Sequence, residues 1–321
     1  MSRIAAISSY LPDNVLTNQE LAERFPRWTA DKLLSKTGIS ERRIAATGET
    51  AGDLALKAAQ KLLSTAEIKA NNIDMLLLVT QTPDQALPAT ACRIHHELGL
   101  SRRCGAFDLN QGCSGYIYGL AVADGMIAAG IANTILLLTA DTYSKLIHPD
   151  NQSVVPLFGD GACATLIQSD SSSGITGVGP FAFGTDGSGG DLLCCTYNGL
   201  KVSWSKQSPL YMDGAAVLEF TLSVIPEALN KYLEQYNLSL DVYDHVVFHQ
   251  ANKFILDRLY AKIGASDRGL ISMEKSGNTV SSSIPLALEE FLKGPRPRKE
   301  RKILLGGFGV GLSWGFTSVI I

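Results

Sequence analysis

Three side chains able to do carbonyl chemistry sit at turns beside apolar runs. Cys113 lies in "DLNQGCSGYIYGL" (Asp108 to Leu120), where a polar turn gives way to a long apolar stretch. A helix starting there leaves its first N–H groups without intrahelical partners, and their partial positive charge is expected to lower the thiol pKa and stabilise a thiolate. Gly112 and Gly115 remove side chains that would block a substrate. His249 closes the strand-like run in "VVFHQAN". Ligands gather at the carboxyl ends of strands in open α/β sheets, and an imidazole there can exchange protons or donate a hydrogen bond. Asn278, in "KSGNTVSSSIP", offers a carboxamide N–H₂ to a developing oxyanion. Taken singly, each also has a plain reading as a small core thiol, a turn histidine and a helix cap.

The elements that must position these residues read as α/β. "DMLLLVT" (Asp74 to Thr80) and "NTILLLTAD" are continuous apolar strands of the kind buried on both faces of a sheet. Glu49 to Leu63 carries a helical stripe of Leu54, Ala55, Ala58, Ala59 and Leu62. The second half repeats the order: "DHVVFHQ" answers "DMLLLVT", "KILLGGFG" answers "TILLLTAD", and "TSVII" answers "ATLIQ". This predicts two similar halves, divided near "SDSSSGITG". "EFTLSVIPEALNKYLEQY" is helical in pattern, with Pro226 expected to open its own turn.

Several classes of function are disfavoured. The 321 residues are 45% hydrophobic and 18% charged, with a net charge of −3. That excludes extensive disorder and any global pull toward nucleic acid or an anionic membrane. Gly115 to Thr139 is the most apolar span, but Asp124, Gly130 and Asn133 interrupt it, so it reads as a buried helix and strand. No secretory leader is evident, and a cytoplasmic location is expected. Six cysteines without C-x-x-C spacing, and no zinc-like histidine pair, predict free thiols and no metal site. "GGFGVGLSWG" (Gly306 to Gly315) fails as a dinucleotide fingerprint, since only six residues follow it; it reads as a turn whose N–H groups line a site. "KGPRPRKERK" (Lys293 to Lys302) is read as a solvated loop, or as a phosphate- or carrier-binding patch.

Taken in order, the Cys113 turn, "HQAN", "GNT" and "GFGVGLSWG" closely resemble the β-ketoacyl-acyl-carrier-protein synthase III family of the thiolase fold, as do "KTGISERRIA" (Lys36 to Ala45) and "FGDGA". The resemblance covers essentially the whole chain. It implies two pseudo-twofold-related α-β-α-β-α halves, residues 1–173 with the nucleophile and 174–321 with His and Asn, and a homodimer. Cys113 would hold a primer acyl group. His249 and Asn278 would stabilise the enolate left when a malonyl thioester on acyl carrier protein loses CO₂. The backbone N–H groups of Cys113 and Val310 would receive the tetrahedral oxyanions. The substrates would be acyl thioesters on acyl carrier protein or CoA, with no metal or redox cofactor.

The resemblance also implies substrate contacts at Trp28, Lys36 and Phe308, a carrier-docking face at Lys253, Arg258 and Lys262, and Leu87 at the place that enters the partner subunit's acyl pocket; a core leucine is the other reading of Leu87. Coenzyme A-primed members carry a Trp and three Arg where this chain has Lys32, Lys36, Gln152 and Phe254. Arg is not freely replaced at bidentate phosphate sites. The departure predicts a primer delivered on a carrier protein, or a longer or unusual acyl group, and a specialised pathway. Competing readings are a non-decarboxylating acyltransferase acting on a hydroxyl or amine, a non-catalytic carrier-binding module, and a cysteine hydrolase.

Overall fold

The computed structural model describes residues 2–170, 177–195, 210–293 and 300–321. The chain opens with β1 (Ser2–Tyr10) and a small antiparallel pair, β2 (Asn14–Thr17) and β3 (Glu41–Ile44), which brackets α1 (Asn18–Arg24) and α2 (Ala30–Thr37). Then come α3 (Ala51–Thr65), β4 (Met75–Val79), α4 (Thr90–Glu97), β5 (Gly105–Leu109), α5 (Gly115–Ala128), β6 (Thr134–Asp141) and β7 (Gly161–Ser169). The second run holds β8 (Val178–Thr185), a short pair β9 (Leu193–Cys194) and β10 (Tyr211–Met212), α6 (Gly214–Gln235), β11 (His245–Phe248), α7 (Lys253–Ile263), α8 (Ser283–Lys293), β12 (Lys302–Gly309) and β13 (Ser313–Ile320).

The two main sheets have the orders β1-β7-β6-β4-β5 and β11-β12-β13-β8. β4 and β6 pair in parallel, as do β11 and β12; β6–β7 and β12–β13 pair antiparallel. The strand correspondences expected from the sequence therefore hold pairwise. The proposed boundary, between residues 173 and 174, lies outside the described residues, as do residues 294–299 of the charge run.

Strand periodicity explains the layering. In β4, Leu76 and Leu78 face a core shared with α3 and α4, while Leu77 and Val79 face one shared with α5. In β12, Ile303 and Leu305 join that same middle core, while Leu304 and Phe308 face α6 and α7. The result is five layers: α3/α4, sheet, α5/α8, sheet, α6/α7. With both faces of each sheet covered, the strands carry unbroken apolar runs.

The turn expected at Pro226 is not made. α6 runs through it, with Pro226 buried inside the helix. A proline removes the N–H that would bond the carbonyl four residues back. That carbonyl, on Leu222, instead accepts a hydrogen bond from the Lys262 ammonium at 2.7 Å. A partner from α7 replaces the lost backbone bond, which local propensity could not reveal.

Candidate active site

Cys113 follows β5, one residue before the cap of α5, and is only 5% exposed. The glycine-rich end of β12 closes over it: a side chain at Gly309 would place its Cβ 2.8 Å from the Cys113 Cβ and 2.9 Å from Sγ. The backbone N–H groups of Val310 and of Cys113 itself act to lower the thiol pKa. Even so, burial pushes the thiol up to about 12, and the charge of Asp141 adds to the rise. The expected lowering by the helix start is thus overturned, because desolvation of the anion outweighs two N–H dipoles.

His249 stands just past the carboxyl end of β11, 2% exposed. Its backbone N–H donates to the Gly306 carbonyl at 2.8 Å, tying it to β12. The ring meets the edge of Phe308, with centroids 6.0 Å apart and planes at 90°. Phe308 therefore braces the imidazole, and it is itself 2% exposed. Burial pushes the imidazole down to about 3, with the Val280 backbone pulling weakly the other way, so it is neutral at physiological pH. Nδ1 lies 2.7 Å from the hydroxyl of Ser283, a residue not singled out in the sequence.

Asn278 is 5% exposed, in the loop before α8. Its N–H donates to the Leu157 carbonyl at 2.9 Å, and its own carbonyl accepts from Gly159 N–H at 3.0 Å. The Val280 N–H donates to Asn278 Oδ1 at 2.9 Å, which turns Nδ2 toward His249 Nε2, 3.4 Å away. Val280 holds a left-handed φ of 54°, an uncommon conformation for a β-branched residue. It packs in one buried cluster with Cys113, Tyr143, Phe158, Leu193 and Leu210. Residues 306–310 and Val280 thus connect the thiol, the imidazole and the carboxamide.

Behind this loop sits Arg42, fully buried and, among the described residues, without a carboxylate partner. Its Nε and Nη2 donate to the Pro156 carbonyl at 2.8 and 2.5 Å, and Nη1 donates to Asn18 Oδ1 at 2.5 Å. Desolvation lowers its pKa to about 10. In β3, Arg42 and Arg43 point to opposite faces, and that alternation was the only sequence hint that one of them turns inward.

Two cavities adjoin the centre. One of about 700 Å³ is lined by Tyr143, Leu193, Leu210, Val310 and Gly311 among others. The second, of about 280 Å³, brings together Trp28, Lys36, Gln152, Asn252 and Phe254. The Lys32 and Lys36 ammonium groups each lie 5.2 Å over the Trp28 ring. Lys253, Arg258 and Lys262 lie exposed on α7; Lys253 pairs with Asp257 at 2.6 Å, and the Arg258 guanidinium stacks 3.7 Å over Phe254. Leu87 is 82% exposed, which overturns its reading as a core residue. Among the described residues, no group of three or more His, Cys, Asp or Glu is arranged to hold a metal, and no helix is long and apolar enough to cross a membrane.

Five alternating layers, with a buried cysteine at a helix start beneath a glycine turn, define a thiolase-like enzyme. Family models agree: residues 107–187 match 3-oxoacyl-[acyl-carrier-protein (ACP)] synthase III, and residues 233–321 match its C-terminal part. A β-ketoacyl-[acyl-carrier-protein] synthase III of Xylella fastidiosa is 35% identical over 319 residues, covering 98% of this chain and 96% of that protein. A 3-oxoacyl-(acyl-carrier-protein) synthase III crystal structure superposes with a TM-score of 0.94 at 43% identity, covering 100% of this chain and 99% of that one. The synthase III of Pseudomonas aeruginosa PAO1 gives 0.91 at 34% identity, covering 99% and 98%. The chain belongs to the β-ketoacyl-[acyl-carrier-protein] synthase III family and is a condensing acyltransferase.

Proposed function

We propose that the enzyme loads an acyl primer on Cys113 and condenses it with a malonyl group carried by acyl carrier protein. In the first step the sulfur attacks the primer thioester, forming the acyl-enzyme and releasing the donor thiol. Because burial keeps the resting thiol protonated, its proton leaves as the sulfur attacks and ends on the departing thiol. The N–H groups of Val310 and Cys113 receive the tetrahedral oxyanion. In the second step the malonyl thioester loses CO₂, and His249 and Asn278 hold the enolate oxygen. The enolate carbon attacks the acyl carbonyl, Cys113 leaves and regains a proton, and a 3-oxoacyl thioester departs. The observation that carries this reading is the close approach of the Gly309 backbone to the buried Cys113 sulfur, in the same segment whose Phe308 braces His249.

The primer donor is a carrier protein rather than CoA. Lys32 and Lys36 each place an ammonium 5.2 Å over the Trp28 ring, where it competes with an adenine stack. Two ammonium groups still suit the single phosphodiester of a pantetheine arm. Among the described residues, Trp28 Nε1 and Gln152 Oε1, a donor and an acceptor, are buried without hydrogen-bond partners. An arm amide would supply both bonds after a small side-chain rotation. Lys253 and Arg258 offer positive charge beside this slot for an acidic carrier.

We further propose that residues 1–173 supply the nucleophile and residues 174–321 the donor pair, in a homodimer. Among the described residues β5 pairs only with β4, which leaves its outer edge for a second copy, and Leu87 is exposed in the segment before α4.

The test is intact-mass spectrometry after incubation with acyl-CoA and acyl-carrier donors, wild type beside Cys113→Ala, followed by malonyl carrier. A mass gain on wild type alone, then CO₂ and a 3-oxoacyl product, is expected. Equal loading from acetyl-CoA would overturn the carrier assignment. Free acid or transfer without CO₂ release would overturn the condensation.

A further inference from the structure

The His249 imidazole can carry its proton on either nitrogen, and only one choice makes Nε2 a donor. Ser283, the first residue of α8, lies behind the ring with Oγ 2.7 Å from Nδ1. That oxygen also accepts the Gln250 backbone N–H at 3.3 Å. The hydroxyl has a single proton, and Ser283 is 2% exposed. Among the described residues it meets no other hydrogen-bond partner, so a buried O–H is left unsatisfied unless it donates to Nδ1.

We infer that Ser283 is a positioning residue that locks His249 in the Nε2–H tautomer. The lock explains the neighbouring contact. Asn278 is oriented by the Val280 N–H on its Oδ1, so its Nδ2 hydrogens face His249. Nε2 and Nδ2, 3.4 Å apart, are then two donors side by side rather than donor and acceptor. Such a pair converges on a single anionic oxygen. In the other tautomer Nε2 would be a bare acceptor, would bond Asn278, and would close the position to an oxyanion.

This inference rests on the condensation reading above, but its first test does not depend on activity. Nitrogen-15 NMR of the histidine-labelled enzyme should show His249 with a protonated Nε2 in wild type, and the Nδ1–H form gaining population in Ser283→Ala. A wild-type ring protonated at Nδ1 overturns the lock. The second test separates the half-reactions. Ser283→Ala should lower malonyl decarboxylation and condensation roughly 10- to 100-fold, the scale seen when the partner that orients a metal-binding histidine is removed. Loading of Cys113 should change less than threefold, and Ser283→Thr, which keeps the hydroxyl, should recover most of the loss. Equal losses in both half-reactions, or no rescue by threonine, would mark Ser283 as merely structural. If His249→Ala and Asn278→Ala both condense at the wild-type rate, the functional reading itself fails, while the NMR result still stands.

Discussion

The Lys262 ammonium donates at 2.7 Å to the Leu222 carbonyl, the group that Pro226 leaves without its helical partner. Lys262 is therefore engaged within its own chain, and its removal is expected to show first in stability. Lys262→Met should cost about 1 kcal/mol in urea denaturation. In a Pro226→Ala background, where an N–H is restored, the same substitution should cost clearly less, and the double-mutant cycle measures the coupling.

The Trp28 slot makes primer choice adjustable. Combining Lys36→Arg, Gln152→Arg and Phe254→Arg puts planar, bidentate donors at three places now held by an ammonium, an amide and a phenyl ring. Loading of Cys113 from acetyl-CoA, followed by mass spectrometry, should rise at least about tenfold, since each good charge-assisted contact is worth ~1.5–3 kcal/mol.

Arg42 should matter through the wall it holds. Its fork grips the Pro156 carbonyl, and the next carbonyl, on Leu157, fixes the Asn278 N–H. Arg42→Lys keeps the charge but loses the fork, and should lower stability by about 2 kcal/mol. Condensation should fall further than Cys113 loading, because in the proposed mechanism Asn278 serves only the second step.

Asp141 gives stability a pH slope. It accepts bonds from Gln81 N–H at 2.8 Å and from the Ser281 hydroxyl at 2.5 Å, yet burial raises it to about 7. Between about pH 4 and 7 the folded chain holds a proton that the unfolded chain has lost. This group's contribution therefore falls as pH rises, by on the order of 4 kcal/mol across the window. Asp141→Asn should remove this falling contribution and unmask the opposite one of the buried neutral His249, so urea stability should climb more steeply between about pH 5 and 6.5 than in wild type.

Leu87 tests the assembly. Leu87→Glu should leave the fold intact, since the side chain is exposed within one chain. It should shift the mass measured by light scattering from two chains toward one and weaken loading of Cys113.

Much of the fold was legible because its strands are short, apolar and repeated in order. β4 and β11 were paired by pattern alone, as were β6 and β12. Cys113, His249 and Asn278 each stand at a boundary where turn residues meet an apolar run, which is a local signal. Ser283 and Arg42 gave no such signal. One is the third serine of a serine run; the other sits in a charged stretch that resembles solvent-facing strand. Their partners, His249 and Pro156, are 34 and 114 residues away in sequence, and only tertiary contact reveals them. Pro226 was misread for the same reason, since its compensation comes from another helix.

The protonated sulfur of Cys113 has a chemical dividend outside turnover. Peroxide and airborne oxidants attack the sulfur anion far faster than S–H, so a thiol buried this deeply resists sulfenic acid formation while the enzyme stands idle.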